Sequence, residues 1–248
     1  MSSKTIDDVI NGLAEIIAES EKSGSRLGYF PALYRMVTIR VKEGIVNGEF
    51  ENGARMEELD VIFATRYLDA YQAWSEGRPC SKSWQIAFEA VGSWRYIVLQ
   101  HLFVGMNAHI NLDLAIAAAE VAPGESIHEL KNDFQNITNI LNDLTTRVQK
   151  DIADVWPLLR LLSKWKRFGD WVSALGMKVS RNIAWGNAVE LALADKDSKR
   201  DKIQQFDHQV ADLGKLILSP PGPIKSALLL IRFGEWKSVS EIIKILSV

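Results

Sequence analysis

The sequence contains a single cysteine, Cys80. One thiol forms neither an internal disulfide framework nor a cysteine-based zinc site. A cationic excess is missing too: 29 basic and 31 acidic residues give a formal net charge of −2, with no long run of Lys and Arg. That balance argues against nucleic acid as a partner, because neutralising phosphates needs a basic stripe. No uninterrupted apolar run approaches the roughly 18 residues read as a membrane span. The opening MSSKTIDDVINGLAEIIAESEK lacks the basic flank and cleavage site of a secretory signal. The expectations are no transmembrane segment and a cytoplasmic location. Sustained period-two alternation, which would announce strands, is also absent. So are a P-loop, HExxH, GxGxxG after a strand, and a GxSxG elbow.

What is present is helical patterning. Apolar residues recur at spacings of three and four almost throughout. Hydrophobic residues make up 47% and charged residues 24% of 248 positions, enough to bury a sizeable core. The spacing predicts helices over about 5–22, 31–47 and 54–75, then a long segment over about 82–121, kinked or split near Gly92 or Gly105. Ser126 and Glu129 match a capping box that would open a helix to about 150. Further helices are expected at about 156–175 behind Asp154, and at about 177–194, 199–218, 222–233 and 238–247. The expected fold is all-α: one compact multi-helix bundle of about nine or ten helices, a single domain over residues 1–248. Eight tryptophans, among them Trp74, Trp84, Trp94, Trp185 and Trp236, either fill gaps between helices or line an apolar pocket.

One segment does not fit a plain core. From Tyr96 to Glu120 the chain is very apolar, yet it holds Gln100, His101, Asn107, His109, Asn111 and Asp113. Positions i and i+4 differ by only about 40° on a helix, so His109 and Asp113 share a face and Asn107 and Asn111 share another. Burying such groups unpaired costs about 1–3 kcal/mol each, so the cluster is either hydrogen-bonded or functional. Three readings compete: a structural network bracing helices, a metal site with His109 and Asp113 as ligands, or metal-free acid–base chemistry with Asp113 orienting His109. Asp60, set between Leu59 and Val61, reads as a buried acid that could bridge to Arg35, Arg40 or His101. Glu125 and His128 have the Glu-x-x-His spacing of di-iron bundles, but four histidines in all are too few for that site.

YFPALYRMVTIRVKEGI, RMEELDVIFATRYLDAY and QHLFVGMNAHINLDLAIAAAE together resemble a mostly bacterial family of all-helical proteins known only as a domain of unknown function. The likeness covers about residues 24–122, and more loosely Arg181–Leu191. It implies a helical fold and a shared polar cluster, and supplies no activity, cofactor or catalytic assignment.

The leading expectation is a small-molecule enzyme of the hydrolase, lyase or cyclase class. His109, Asp113, His101 and Asp60 would be its acid–base or ligand groups. Arg35, Arg40, Asn107, Asn111 and Trp185 would contact substrate. A metal held by His109 and Asp113 would be zinc, iron or manganese. The alternative is a non-catalytic helical scaffold binding a protein partner or a lipophilic ligand. The C-terminal KSALLLIRFGEWKSVSEIIKILSV, with apolar faces and several cations, raises peripheral membrane attachment against simple docking on the core.

Overall fold

The computed structural model describes residues 5–137, 139–140, 169–170, 181–220 and 222–247. Among them there are ten α-helices, a further helical stretch over 131–137 and no strand. The helix expected at about 156–175, with Trp156, Trp165 and Trp171, lies outside the described residues, as does most of 138–150.

Helix α1 (Ile6–Ser23) starts in a capping box. The Thr5 hydroxyl accepts from the Asp8 N–H, and the Asp8 carboxylate accepts from the Thr5 N–H, each at 3.1 Å. A left-handed Gly24 (φ 65°) ends it. A short 3₁₀ turn, Arg26–Gly28, leads into α2 (Tyr29–Val46), with Pro31 in its first turn. Then come α3 (Gly53–Ser75), α4 (Lys82–Ala90), α5 (Val98–Ala108) and α6 (Ala115–Val121). A 3₁₀ segment, Gly124–Leu130, precedes a helical stretch over 131–137. Helices α7 (Arg181–Ala192), α8 (Lys196–Leu218), α9 (Pro223–Gly234) and α10 (Val239–Leu246) complete the description.

The long predicted segment is indeed split near Gly92, where residues 91–97 leave the helix. It is not broken at Gly105. The irregularity falls instead at His109–Leu114, a π-turn between α5 and α6 in which every residue is buried. A π-turn widens the helix by about one residue and re-aims the side chains on it. Ser126 is not a helix cap: the chain there is 3₁₀, and the Ser126 hydroxyl donates to the Pro123 carbonyl at 2.7 Å.

Val98–Val121, 24 residues running through α5, the π-turn and α6, is long and apolar enough to cross a membrane, but 94% of its most apolar stretch is buried inside the bundle. It is the central rod of the core. Helices α2, α4 and α8 pack on α5, while α3 and α7 pack on α6 and the π-turn. At the far end α10 closes onto α1 and α2, with Ile242, Ile243 and Leu246 buried. An added Cβ at Gly28 would lie 2.6 Å from Ile243 Cδ1 and from Ser20 Cβ, so the three helices meet there with no room for a side chain.

Candidate functional site

Every polar residue of the central rod singled out by sequence is buried. They comprise amides that brace helices, His101 by itself, and one ionisable pair that gathers donors from neighbouring helices.

The braces are local consequences of helix ends. Gln100 lies in the first turn of α5, where its Oε1 accepts from the Ile97 N–H at 3.2 Å, while its Nε2 donates to the carbonyls of Ile217 and Leu218 at the end of α8. Asn107 Nδ2 donates to the Val210 carbonyl at 2.8 Å, and Asn111 Nδ2 donates to Asn107 Oδ1 at 3.0 Å. Asn187 on α7 donates to the Asn111 carbonyl at 3.3 Å, in the π-turn. These amides stitch α5 to α8 and the π-turn to α7. Their partners are protein carbonyls and one another.

The ionisable pair is His109 and Asp113. Three donors converge on the Asp113 carboxylate. Trp84 Nε1 donates to Oδ2 at 2.7 Å, Arg66 Nε donates to Oδ1 at 3.1 Å, and His109 Nδ1 lies 3.2 Å from Oδ2 with its proton directed there. Trp84 and both members of the pair are almost wholly buried, and Arg66 alone reaches solvent, its side chain 31% exposed. The imidazole stands in an aromatic box. It stacks on Phe63, with ring centroids 3.6 Å apart and 12° between planes, and meets Tyr34 edge-on at 4.3 Å. Phe30 and Trp84 stand 5.5 and 6.0 Å away. Burial lowers the His109 pKa from its ordinary value, against the opposing pull of Asp113, so the ring is neutral.

The other ring nitrogen, His109 Nε2, is buried with no hydrogen-bond partner, and so are the hydroxyls of Tyr34 and Tyr67 and Asp60 Oδ2. Each orphaned polar atom costs about 1–3 kcal/mol relative to a bonded one. Burial pushes both phenols well above their usual range, so they stay protonated as donors. Asp60 is raised to about 7, by burial first and by the neighbouring Glu57 second. After burial, the charges of Asp60 and Asp113 also raise the Tyr34 phenol.

Several sequence-predicted partners are elsewhere. His101 does not join His109. It meets Tyr29 and Tyr96 edge-on at 5.8 and 6.1 Å, and burial with Arg26 and Arg232 nearby depresses it to about 3. Eight residues of helix carry position 101 about 12 Å along the axis from 109. Phe30 fills the space over Gly105 between them, where an added Cβ would sit 2.7 Å from its ring. A cavity of about 20 Å³, room for about one water, lies on the His101 side against Phe30, Tyr67 and Trp84. No hydrogen bond links Asp60 to Arg35, Arg40 or His101. Arg40 pairs instead with Glu49 at 2.7 Å on the surface. Arg35 Nε has no hydrogen-bond partner, and no bond joins it to the pair. Trp185 packs on Phe134 at 5.0 Å, away from the box. Glu125 and His128 face solvent as an exposed 3.5 Å contact. Among the described residues no three His, Cys, Asp or Glu side chains gather closely enough to hold a metal ion. Arg66 and Trp84, the residues that complete the site, were not expected to do so. They lie 47 and 29 positions from Asp113, and nothing local marks them.

The fold and the site define an all-helical protein built around a buried imidazole–carboxylate pair. The chain belongs to the DUF5995 family, a family of unknown function, whose model matches residues 6–220. Neither a curated protein nor a solved structure matches it.

Proposed function

We propose that the chain is a small-molecule enzyme working by metal-free acid–base chemistry, with His109 Nε2 as the reactive atom. The observation that carries this reading is the orphaned Nε2 of an imidazole whose other nitrogen is held by a carboxylate. Both ring nitrogens of His101 are unpartnered too, but no carboxylate holds either of them; His109 combines an orphaned Nε2 with a carboxylate on Nδ1. An imidazole with Nδ1–H directed at a carboxylate presents the lone pair of Nε2 and is stabilised when that atom takes a proton. Asp113 is then the positioning residue, with Arg66 and Trp84 fixing it in turn. The Tyr34 and Tyr67 hydroxyls supply hydrogen bonds to an oxygen that gains charge as the proton leaves. The surrounding rings select a small, partly apolar substrate, and the aromatic faces favour a cation in transit. Proton abstraction in a lyase or cyclase, or activation of water in a hydrolase, uses the same set of groups.

A second reading has its own support. The imidazole is closed in by rings on several sides, and Gln100, Asn107 and Asn187 bind carbonyls of other elements. On that reading the polar set fixes helix register in a non-catalytic scaffold.

His109→Leu separates the two, because leucine is close to histidine in volume and Asp113 keeps two donors. Under the enzyme reading the variant unfolds within about 1 kcal/mol of the parent or is more stable, since a residue kept for chemistry is held at a cost to stability. Under the scaffold reading it loses about 2–4 kcal/mol, as a broken buried network does. Urea unfolding measures the difference.

A further inference from the structure

The corner formed by the 91–97 loop and helix α9 gathers exposed apolar side chains. Leu230, Phe233 and Trp236 are 61%, 75% and 73% exposed, and Trp94 beside them is 52% exposed. The Trp94 and Phe233 rings lie 6.2 Å apart. Between them opens a groove of about 360 Å³, reached by Arg95 and Lys225, and no acidic residue lines it. Lys237 Nζ sits 4.9 Å above the Trp236 ring. The sole carboxylate between residues 222 and 240, Glu235, faces inward, its Oε1 accepting from the Val98 N–H at 3.0 Å.

This is not an accident of a loosely attached tail. Ala227, Leu228 and Ile231 bury the inner face of α9, and Arg232 donates to the Trp94 carbonyl, tying the loop to the helix. Helix α10, by contrast, spends its apolar face on the core. Among the described residues the apolar outer face of α9 therefore has no partner. Leu230, Phe233 and Trp236 lie beyond the segment that the family model matches, while Trp94 and Arg95 lie within it.

We propose that this corner docks on a membrane surface containing anionic phospholipid. Leu230, Phe233 and Trp236 enter the boundary between headgroups and acyl chains, where the ring of tryptophan is favoured. Arg95, Lys225 and Lys237 face the phosphate groups. Insertion of an apolar face flanked by cations is the chemistry of an interfacial helix. A protein partner would need acids to meet these cations and a matching apolar pocket. Anionic lipid supplies both requirements at once. The inference stands independently of the role of His109.

Co-sedimentation of the full chain with vesicles tests it. The chain is expected to pellet with phosphatidylcholine vesicles that contain phosphatidylserine, and much less with phosphatidylcholine alone. The triple variant Leu230→Ser, Phe233→Ser, Trp236→Ser is expected to lose at least about tenfold in partitioning with its helical circular dichroism intact. Arg95→Glu with Lys225→Glu should abolish the preference for phosphatidylserine and leave the residual apolar binding. Failure of the parent to pellet with either vesicle overturns the proposal, and so does a triple variant that pellets like the parent. A concentration-dependent dimer that the triple variant dissolves, without vesicle binding, would assign the face to a second copy instead.

Discussion

Asp113→Ala should lower the free energy of unfolding by about 3–5 kcal/mol, the largest loss expected from truncating any single polar side chain in the core. The carboxylate is the meeting point of three donors on three different elements: Trp84 of α4, Arg66 of α3 and His109 of the π-turn. Its removal leaves two buried N–H groups, Trp84 Nε1 and His109 Nδ1, with no acceptor, and opens a void between packed helices. Arg66 can turn to solvent, so its share of the loss is small. Asp113→Asn keeps one acceptor oxygen but points an amide N–H at a donor, and should fall between the parent and the alanine variant. A shift of the urea midpoint with unchanged slope is the expected signature. A loss below about 1 kcal/mol for the alanine variant would mean that these three contacts do not hold the elements together.

Asp60→Asn should do the opposite, and do it as a function of pH. In the native state Asp60 keeps its proton up to about 7, whereas its ordinary value is 3.8. Between those values the folded protein holds a proton that the unfolded chain has released. The group's contribution to stability therefore declines as pH rises from about 4 to 7 and stays low above. Asparagine does not ionise, so the variant gains on the parent across that window and the gain levels off above it. The full difference is about 4 kcal/mol, from some three units at 1.36 kcal/mol each. His101 works in the other direction. Depressed to about 3, it stays neutral in the fold while the unfolded chain binds a proton below its ordinary 6.5, so its contribution is lost on acidification. Glu235, raised to about 7 by burial, behaves as Asp60 does. In the parent these opposed slopes partly cancel between about pH 4 and 6.5, and Asp60→Asn removes one of the two contributions that fall as pH rises. Thermal unfolding of both proteins from pH 4 to 8 reads it out. A constant offset between the two curves would show that Asp60 ionises normally in the fold.

How much of this could be read in the sequence depends on whether a feature is local. The helices were legible because apolar spacing is a local pattern: α3, α9 and α10 begin and end within about two residues of expectation. The pairing of His109 with Asp113 was legible for the same reason, since four residues on a helix bring two side chains together. The burial of Asp60 followed from its apolar neighbours. What failed was everything set by distant parts of the chain. Arg66 and Trp84 reach Asp113 across 47 and 29 positions, while of the cations expected near Asp60, Arg40 pairs with Glu49 and Arg35 makes no bond to Asp60. Asn107 read as a substrate contact because polar groups on a greasy helix stand out. Its partner is the backbone carbonyl of Val210 on α8, more than a hundred residues away. The π-turn left no trace either, because a segment buried on all sides has no amphipathic phase to interrupt. The capping-box reading of Ser126 failed because the chain there adopts 3₁₀ geometry and the hydroxyl bonds backwards to Pro123.

Nitrogen chemical shifts of the His109 ring test the central claim most directly. The account predicts a neutral imidazole at pH 7 with its proton on Nδ1 and a bare Nε2, a state that persists below the ordinary histidine value because burial disfavours the charged form. A ring protonated on Nε2, or doubly protonated at neutral pH, would contradict it, because the atom assigned to chemistry would then carry no free lone pair.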